Sequence, residues 1–236
     1  MARTAPPKRR PRPRKPAAKR RGPATPPPKG GFPVWPVVIG LVVALGVAVV
    51  VFVALSGDDV DTAGGGGTPV EESAGPVEVT GEALPQFEST EDDAALGLAF
   101  PTLTGTGLDG EPLTIARGEQ PTLVLFVAHW CSHCQREVPV VQEWVDAGNL
   151  PDDVELVTVS TSIDPSRPNH PSSAWLAANG WTAPTLVDPD NSAATAAGLS
   201  AYPFFVALDA NGRVVARTSG ELTTDQLDGL VELAQG

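Results

Sequence analysis

The chain has 236 residues and a formal net charge of -12, but its positive and negative charges are separated along the sequence. Eleven of the sixteen Lys and Arg residues precede residue 30, whereas the first of the twenty-eight Asp and Glu residues is Asp58. This length allows one ordinary domain with extensions or two small domains, and the separation of charge excludes a chain of uniform composition. A basic tail and an acidic body divided by an apolar run indicate a protein with parts on both sides of a membrane.

Residues 1–31 form the basic tail and contain few apolar side chains, so we expect them to be disordered and cytoplasmic. Such a tail can bind nucleic acid, or it can hold the topology and bind anionic lipid headgroups. We favour the lipid interpretation, because a tail tethered at a membrane already meets acidic lipid, and we predict no nucleic-acid partner.

Residues 32–57 carry no charged side chain. About 20 apolar residues cross the hydrocarbon core of a bilayer, so we predict a single transmembrane helix in the cell membrane. The preceding Lys and Arg residues place the N-terminus in the cytoplasm and the C-terminal domain on the extracytoplasmic side. A buried core helix is disfavoured by the unequal flanks. A cleaved signal peptide ending near Ala54-Leu55-Ser56 stays open, although the apolar run is longer than a usual signal core.

Residues 58–95, with the run Gly64 to Gly67 and scattered acids, predict a flexible acidic linker. Residues 96–236 have the pattern of a folded α/β domain. Strands are predicted at 122–128, 154–160, 184–187, 204–208 and 213–217, and helices at 135–146, 172–178 and 191–197, with a last helix capped by Thr223 or Thr224.

Turn and cap residues support these elements. Asn211-Gly212 supplies a hairpin turn between the last two strands, and Ser172 or Ser173 can cap the second helix. Strands that alternate with helices and end in a hairpin and a helix predict a mixed central sheet with helices on both faces.

Cys131 and Cys134 are the only cysteines of the chain, and they follow a predicted buried strand and open a helix. A disulfide between Cys131 and Cys134 would close a very short loop and remove little entropy from the unfolded chain, so the pair does not act as a long-range crosslink. A reversible redox pair explains the spacing. At a helix N-terminus, unpaired N–H groups and the macrodipole favour the reactive thiolate of Cys131. Cys134, one turn deeper, can attack a mixed disulfide formed at Cys131 and release the partner.

His133 lies between the two cysteines. An imidazole in this place can hydrogen-bond the thiolate or, when protonated, stabilise it electrostatically, which favours the reduced form and makes the disulfide a better oxidant. The alternative interpretation is a histidine that is merely exposed at the start of the helix.

Several stretches together resemble the thioredoxin superfamily, and specifically its TlpA-like branch of membrane-anchored bacterial thiol-disulfide oxidoreductases. They are Phe100-Pro101-Thr102-Leu103 with Leu108-Asp109-Gly110, Trp130-Cys131-Ser132-His133-Cys134 with Glu137 and Pro139, Pro184 to Asp188, and Tyr202 to Arg213. The resemblance covers residues 97–236. It implies a thioredoxin-like fold and an enzyme that exchanges disulfides with exported proteins, works with a membrane or extracytoplasmic redox partner, and uses no cofactor.

The resemblance also implies roles for single residues. Pro203 falls where the family places a cis proline facing the disulfide, which would expose the backbone of Tyr202 to a substrate strand. Trp130 flanks the substrate groove, and Pro139 falls where the family kinks its first active-site helix. Glu137 matches an acidic position that tunes the cysteine pair in relatives of the cytochrome-maturation type, with an ordinary solvated helix residue as the alternative.

Three departures leave the substrate, the redox partner and the direction of electron flow open. Leu125 stands where thioredoxin carries a buried acid, so the proton acceptor of Cys134 is in doubt. The Ser132-His133 dipeptide lies closer to the Pro-His of strong oxidants than to the Gly-Pro of reducing thioredoxins. Tyr202 is bulkier than the Thr or Val that usually precedes the cis proline.

A copper- or zinc-handling protein is the alternative function. Cys131, Cys134 and one of His129, His133 or His170 would supply three ligands of the type that these metals accept. Copper chaperones of this fold typically space their cysteines by three residues, so the spacing here argues against that function, and we predict no metal site.

Overall fold

The computed structural model describes residues 70–115 and 120–236. The predicted tail (1–31), the predicted transmembrane helix (32–57) and the first part of the predicted linker (58–69) lie outside the described residues. Within the described ranges, no helix has both the length and the apolar character needed to cross a bilayer.

Eight strands and five helices make up the described part of the chain. The strands are β1 (Glu78–Thr80), β2 (Thr102–Thr106), β3 (Pro112–Ile115), β4 (Thr122–Val127), β5 (Glu155–Thr161), β6 (Thr185–Asp188), β7 (Phe204–Leu208) and β8 (Val214–Ser219). The helices are α1 (Val70–Ser73), α2 (Ser132–Asp146), α3 (Ser172–Ala178), α4 (Ser192–Ala196) and α5 (Thr224–Gln235).

The central sheet has the strand order β6-β5-β4-β7-β8. β4, β5 and β6 are parallel, whereas β7 pairs antiparallel with both β4 and β8. This confirms the mixed sheet that the sequence predicts. β4 is the middle strand and all six of its residues are buried, as its continuous apolar sequence requires, because helices cover both faces of the sheet.

Alternate residues of β4 point into two separate apolar clusters. Val124 and Phe126 belong to the cluster that contains the alanines of α4. Leu123 and Leu125 belong to the cluster on the opposite face, which contains the apolar residues of α2 and α5. The period-2 alternation of a strand therefore produces the helix-sheet-helix layering.

Residues 70–95 belong to the fold, whereas the sequence predicted a flexible linker over 58–95. β1 pairs with β2, and β2 pairs with β3, in a small antiparallel sheet. Four apolar side chains of this segment are buried, namely Val77, Leu84, Phe87 and Ala95. The linker prediction was wrong for residues 70–95, because isolated apolar anchors separated by Gly, Pro and acids carry no periodic signal.

The N-cap predicted from the sequence is present at α5 but not at α3. Thr223 caps α5 in a capping box with Gln226, as predicted. The predicted serine cap of α3 is wrong, because the N-cap residue is Pro171. The carboxylate of Glu71 takes over that function, accepting hydrogen bonds from Ser172 Oγ (2.9 Å) and the Ser173 backbone N–H (2.6 Å).

A buried ion pair holds residues 85–93 against β8, the edge strand of the central sheet. The side chains of Arg217 and Asp93 are almost fully buried and form a two-point pair, with Arg217 Nε 2.8 Å from Asp93 Oδ2. Arg217 also donates to the carbonyls of Pro85 and Ala197, each at 2.9 Å. Burial acts to raise the pKa of Asp93, but hydrogen bonds from Arg217 and Ala95 outweigh it and hold that pKa below its ordinary value.

We predict that Asp93→Asn lowers the free energy of unfolding by about 3–5 kcal/mol, because it leaves the charge of Arg217 buried without its counter-ion. Urea unfolding of the full-length chain, followed by tryptophan fluorescence, measures the change. Asp92→Asn is the matched control, since Asp92 is the exposed neighbour. Equal stabilities of the two variants would contradict the assignment.

Candidate active site

The site begins where β4 leaves the sheet. Cys131 is the fourth residue after the strand, its backbone N–H donates to the carbonyl of Ala128 (2.9 Å), and it is the N-cap residue of α2. Cys131 is partly exposed, whereas Cys134 is fully buried one turn further along the helix. The structure therefore presents one sulfur to solvent and shields the other, as the sequence predicts.

Burial dominates the electrostatics of Cys134. It raises the pKa of the Cys134 thiol far above its ordinary value, and the nearby Cys131 and Glu137 act in the same direction. A hydrogen bond with the backbone of Ala128 opposes this effect without cancelling it. Cys134 is accordingly held as a thiol, and it needs a proton acceptor before it can act as a nucleophile.

The chain segment that faces Cys131 comes from the start of β7. The Tyr202–Pro203 peptide bond is cis, as the resemblance implied. The carbonyl oxygen of Tyr202 lies 4.0 Å from Cys131 Sγ. Pro203 is buried, and its own carbonyl accepts a hydrogen bond from the backbone N–H of Gly220 (2.9 Å). Sequence positions 71 residues apart thus meet at the exposed sulfur.

Trp130 forms one wall beside Cys131. Its indole Nε1 donates to the carbonyl of Ser162 (2.8 Å), and its ring meets the ring of Tyr202 edge-on at a centroid distance of 6.2 Å. The guanidinium of Arg167 lies over the Trp130 ring, with its central carbon 4.3 Å from the ring centroid. Ser162 and Arg167 belong to the loop after β5, which sequence reasoning did not connect with the site.

His133 interacts with Glu221. Its Nδ1 atom lies 2.6 Å from Glu221 Oε1, and Arg136 donates to the same carboxylate from Nε and from its terminal nitrogen, the latter at 2.6 Å. The hydrogen bonds from Arg136 and then from His133 lower the pKa of Glu221 to about 2. Sequence reasoning missed Glu221, which follows β8 and is 88 residues from His133.

Glu137 is buried beneath the cysteine pair. It is 1% exposed, so the interpretation as an ordinary solvated helix residue was wrong. Both carboxylate oxygens accept from the backbone N–H of Leu222, each at 3.1 Å. Burial raises the pKa of Glu137 to about 7, although the hydrogen bond from Leu222 opposes the rise. Glu137 can therefore gain and lose a proton near neutral pH.

Leu125 occupies the position where thioredoxin carries its buried acid. It is fully buried in β4 and lies in the same apolar cluster as Cys134. The negative charge of Glu137, on the same helix, contributes to the raised pKa of Cys134. The structure thus offers Cys134 an acid on α2 in place of an acid on the strand.

His129 fixes the loop after β5 against the site. It is fully buried, its Nδ1 donates to the carbonyl of Pro168 (2.7 Å), and its Nε2 accepts from the backbone N–H of Asp164 (3.2 Å). Burial lowers its pKa, which keeps the ring neutral. Both ring nitrogens are occupied by these bonds. His170, a candidate metal ligand in the alternative function, is partly buried with its ring centroid 5.6 Å from that of His129.

The described ranges contain no group of three or more His, Cys, Asp or Glu side chains placed to hold a metal ion. His129 has no free ring nitrogen, and His133 Nδ1 is engaged by Glu221. The geometry thus gives the copper- or zinc-handling alternative no support.

Comparison with known proteins agrees with the fold and the cysteine pair. Residues 80–232 match the model of the Redoxin family. The sporulation thiol-disulfide oxidoreductase A of Bacillus subtilis (strain 168) is 27% identical over 120 residues, which cover 51% of this chain and 72% of that protein. This chain belongs to the Redoxin family.

Two solved structures share the fold. A DsbF homologue from Corynebacterium diphtheriae is 21% identical with a TM-score of 0.51, covering 63% of this chain and 98% of that chain. A putative thiol:disulfide interchange protein DsbE from Chlorobium tepidum is 19% identical with a TM-score of 0.51, and the match covers 60% of this chain and 98% of that chain. The predicted thioredoxin-superfamily, TlpA-like relationship is confirmed, and the chain is a thiol-disulfide oxidoreductase.

We predict that Glu137→Gln removes a pH dependence from the stability of the fold. Because the folded state raises the pKa of Glu137 from 4.5 to about 7, the wild-type fold loses stability as pH rises across that window. The amide still accepts from Leu222 and carries no charge. Relative to wild type, the variant should therefore gain about 3 kcal/mol of unfolding free energy from the acidic to the alkaline end of the window.

Unfolding of the full-length chain in urea at a series of pH values measures this difference. Glu143→Gln, on the exposed side of α2, is the control and should follow the wild-type profile. A constant offset between wild type and Glu137→Gln at every pH would contradict the assigned protonation.

Proposed function

We propose that this oxidoreductase is tethered to the cell membrane and exchanges disulfides with exported protein substrates through Cys131 and Cys134. The observation that supports the proposal best is the pairing of a partly exposed Cys131 at the start of α2, opposite the Tyr202 carbonyl, with a buried Cys134 one turn below. This is the arrangement that an attacking and a resolving sulfur need.

In the reductive direction, the thiolate of Cys131 attacks one sulfur of a substrate disulfide. A bond forms between Cys131 and that sulfur, the substrate S–S bond breaks, and the other substrate sulfur leaves as a thiolate and takes a proton from water. Cys134 then loses its proton and attacks Cys131 Sγ. The mixed disulfide breaks, its substrate sulfur leaves as a thiolate and takes a proton, a Cys131–Cys134 disulfide forms, and two electrons have passed to the substrate. The oxidative direction reverses each step.

Glu137 supplies the proton acceptor in this scheme. The thiol of Cys134 is stable as long as it stays buried, so attack on the mixed disulfide is slow without a base nearby. Glu137 lies on the same helix, and burial raises its pKa to about 7, so its carboxylate form is available at neutral pH. Leu125, at the thioredoxin acid position, cannot take this role.

The residues around Cys131 position the substrate. The Tyr202 backbone next to Cys131 Sγ offers a partner for an extended substrate segment, and buried Pro203 holds that backbone in place. Trp130 forms the neighbouring wall. His133 stabilises negative charge at the helix start, with Glu221 controlling its orientation. A membrane or extracytoplasmic redox partner restores the cysteine pair after each exchange.

The membrane location rests on the sequence. Residues 32–57 would form the transmembrane helix in contact with the lipid bilayer, residues 1–31 the cytoplasmic tail, and residues 58–69 a short tether. The domain would then work outside the cytoplasm, where disulfides form and persist.

Cysteine substitutions test the two sulfur roles. With a disulfide-bonded protein such as insulin as substrate, Cys131→Ser should abolish turnover, because the attacking sulfur is lost. Cys134→Ser should accumulate a covalent mixed disulfide through Cys131, because nothing resolves it. Non-reducing electrophoresis and mass spectrometry detect the adduct. Turnover by Cys131→Ser, or an adduct at Cys134, would overturn the assignment.

Protease protection tests the topology. In a bacterial host, protease added to spheroplasts should digest residues 96–236 and leave a tag at the N-terminus intact, because the bilayer protects the cytoplasmic tail. A variant lacking residues 32–57 should stay in the cytoplasm and be fully protected. Recovery of the full-length chain in the soluble fraction, with its N-terminal tag lost, would instead indicate cleavage of a signal peptide.

A further inference from the structure

We propose that Arg167 recognises an acidic side chain beside the substrate cysteine, so that the preferred partners are proteins whose reactive cysteine is flanked by Asp or Glu. The inference rests on the proposed exchange at Cys131 and specifies its substrate class. It follows from the placement of one exposed guanidinium on the wall of the site.

Arg167 lies over the Trp130 ring, and within the described residues its one charged neighbour of opposite sign is Asp164, which it meets through charge and not through a side-chain hydrogen bond or salt bridge. Its guanidinium carbon lies 4.3 Å from the Trp130 ring centroid. Within residues 70–115 and 120–236, its side chain has neither a salt bridge nor a hydrogen bond, whereas the other three arginines of these ranges, Arg136, Arg213 and Arg217, all donate to oxygen acceptors. Stacking uses the face of the guanidinium and leaves the N–H donors on its edge free for a carboxylate.

The stacked pair is held in a defined place relative to Cys131. Trp130 precedes Cys131 in the chain, and its indole is fixed by the hydrogen bond to the Ser162 carbonyl (2.8 Å). The backbone N–H of Arg167 donates to the carbonyl of Asp164 (3.0 Å). The next residue, Pro168, accepts from buried His129 (2.7 Å). The backbone of Arg167 is therefore anchored, and its guanidinium lies on the ring of the residue that precedes Cys131.

The other charged groups near the site are already satisfied. Asp164, the acid closest to Arg167 along the chain, accepts from the backbone N–H (2.9 Å) and the hydroxyl (2.7 Å) of Ser166. Glu221 is engaged by Arg136 and His133. A substrate that places a cysteine on Cys131 and its backbone along Tyr202 would pass over the Trp130 wall, where the exposed cation is Arg167, whereas Arg136 is paired with Glu221.

Recognition of this kind acts at short range. The body of the protein is strongly acidic, because eleven of the sixteen Lys and Arg residues precede residue 30 and all twenty-eight Asp and Glu residues follow it. At physiological ionic strength the Debye length is about 8 Å, so distant acids are screened while a direct contact with Arg167 is not. The preference should therefore depend on the residues next to the substrate cysteine and not on the net charge of the substrate.

The test uses three disulfide-bonded peptides that differ only in the residue next to the attacked cysteine, which is Asp, Asn or Lys. The reduced full-length chain in detergent is mixed with each peptide in a single turnover, and the second-order rate constant for reduction of the peptide disulfide, coupled to oxidation of Cys131 and Cys134, is measured. Wild type should prefer Asp over Asn by about 3- to 5-fold, the range of an exposed charge pair. Arg167→Gln should lose this preference, and Arg167→Glu should prefer Lys. Arg213→Gln, which changes an exposed arginine outside the site, should behave as wild type.

The outcomes separate this inference from the proposed function. If wild type exchanges none of the peptides, the proposed function fails. If it exchanges all three at the same rate and Arg167→Gln does too, the exchange stands and recognition by Arg167 is wrong. If Arg167→Gln slows all three peptides equally, Arg167 only supports Trp130, and the inference is likewise overturned.

Discussion

The junction between β4 and α2 is the constraint on which the site depends. β4 is buried on both faces and paired on both edges, by β5 and β7, so the point where it ends is fixed. α2 begins five residues after the end of β4 and has Cys131 as its N-cap, with Cys134 one turn inside the apolar cluster. One sulfur is reachable and the other is shielded because of where a strand stops and a helix starts.

Two ionisable groups, the Cys134 thiol and the Glu137 carboxyl, are buried on the same helix of the site. A buried carboxylate and a buried thiolate both lose hydration, and each makes ionisation of the other harder. Ionising one of the two groups therefore costs less free energy than ionising both. The Leu222 N–H, donated from the loop before α5, is the fixed dipole that holds the Glu137 carboxylate in place. Where Leu125 leaves the strand without an acid, the buried carboxylate on the neighbouring helix is Glu137.

Local sequence patterns allowed much of the fold to be predicted. The features that were not predicted depend on contacts between residues far apart in the sequence. The run Thr122 to Ala128, the cysteine spacing and the Asn211-Gly212 turn each carry a signal within a few residues. Glu221 reaches His133 from 88 residues away, and Glu71 caps α3 from 101 residues away. No periodicity marks such contacts. The position of Arg167 could not be predicted for the same reason. Its loop consists largely of turn-forming residues, and the contact that anchors it, from His129 to the carbonyl of Pro168, is long-range.

The measurement that tests the central claim most directly is alkylation of the reduced full-length chain with iodoacetamide, followed by peptide mass spectrometry over time. The structure predicts rapid modification of the partly exposed Cys131, while the buried Cys134 stays unmodified until the chain is unfolded. Modification of Cys134 at the same rate as Cys131 in the folded chain would show that the two sulfurs are not divided into an attacking and a resolving one.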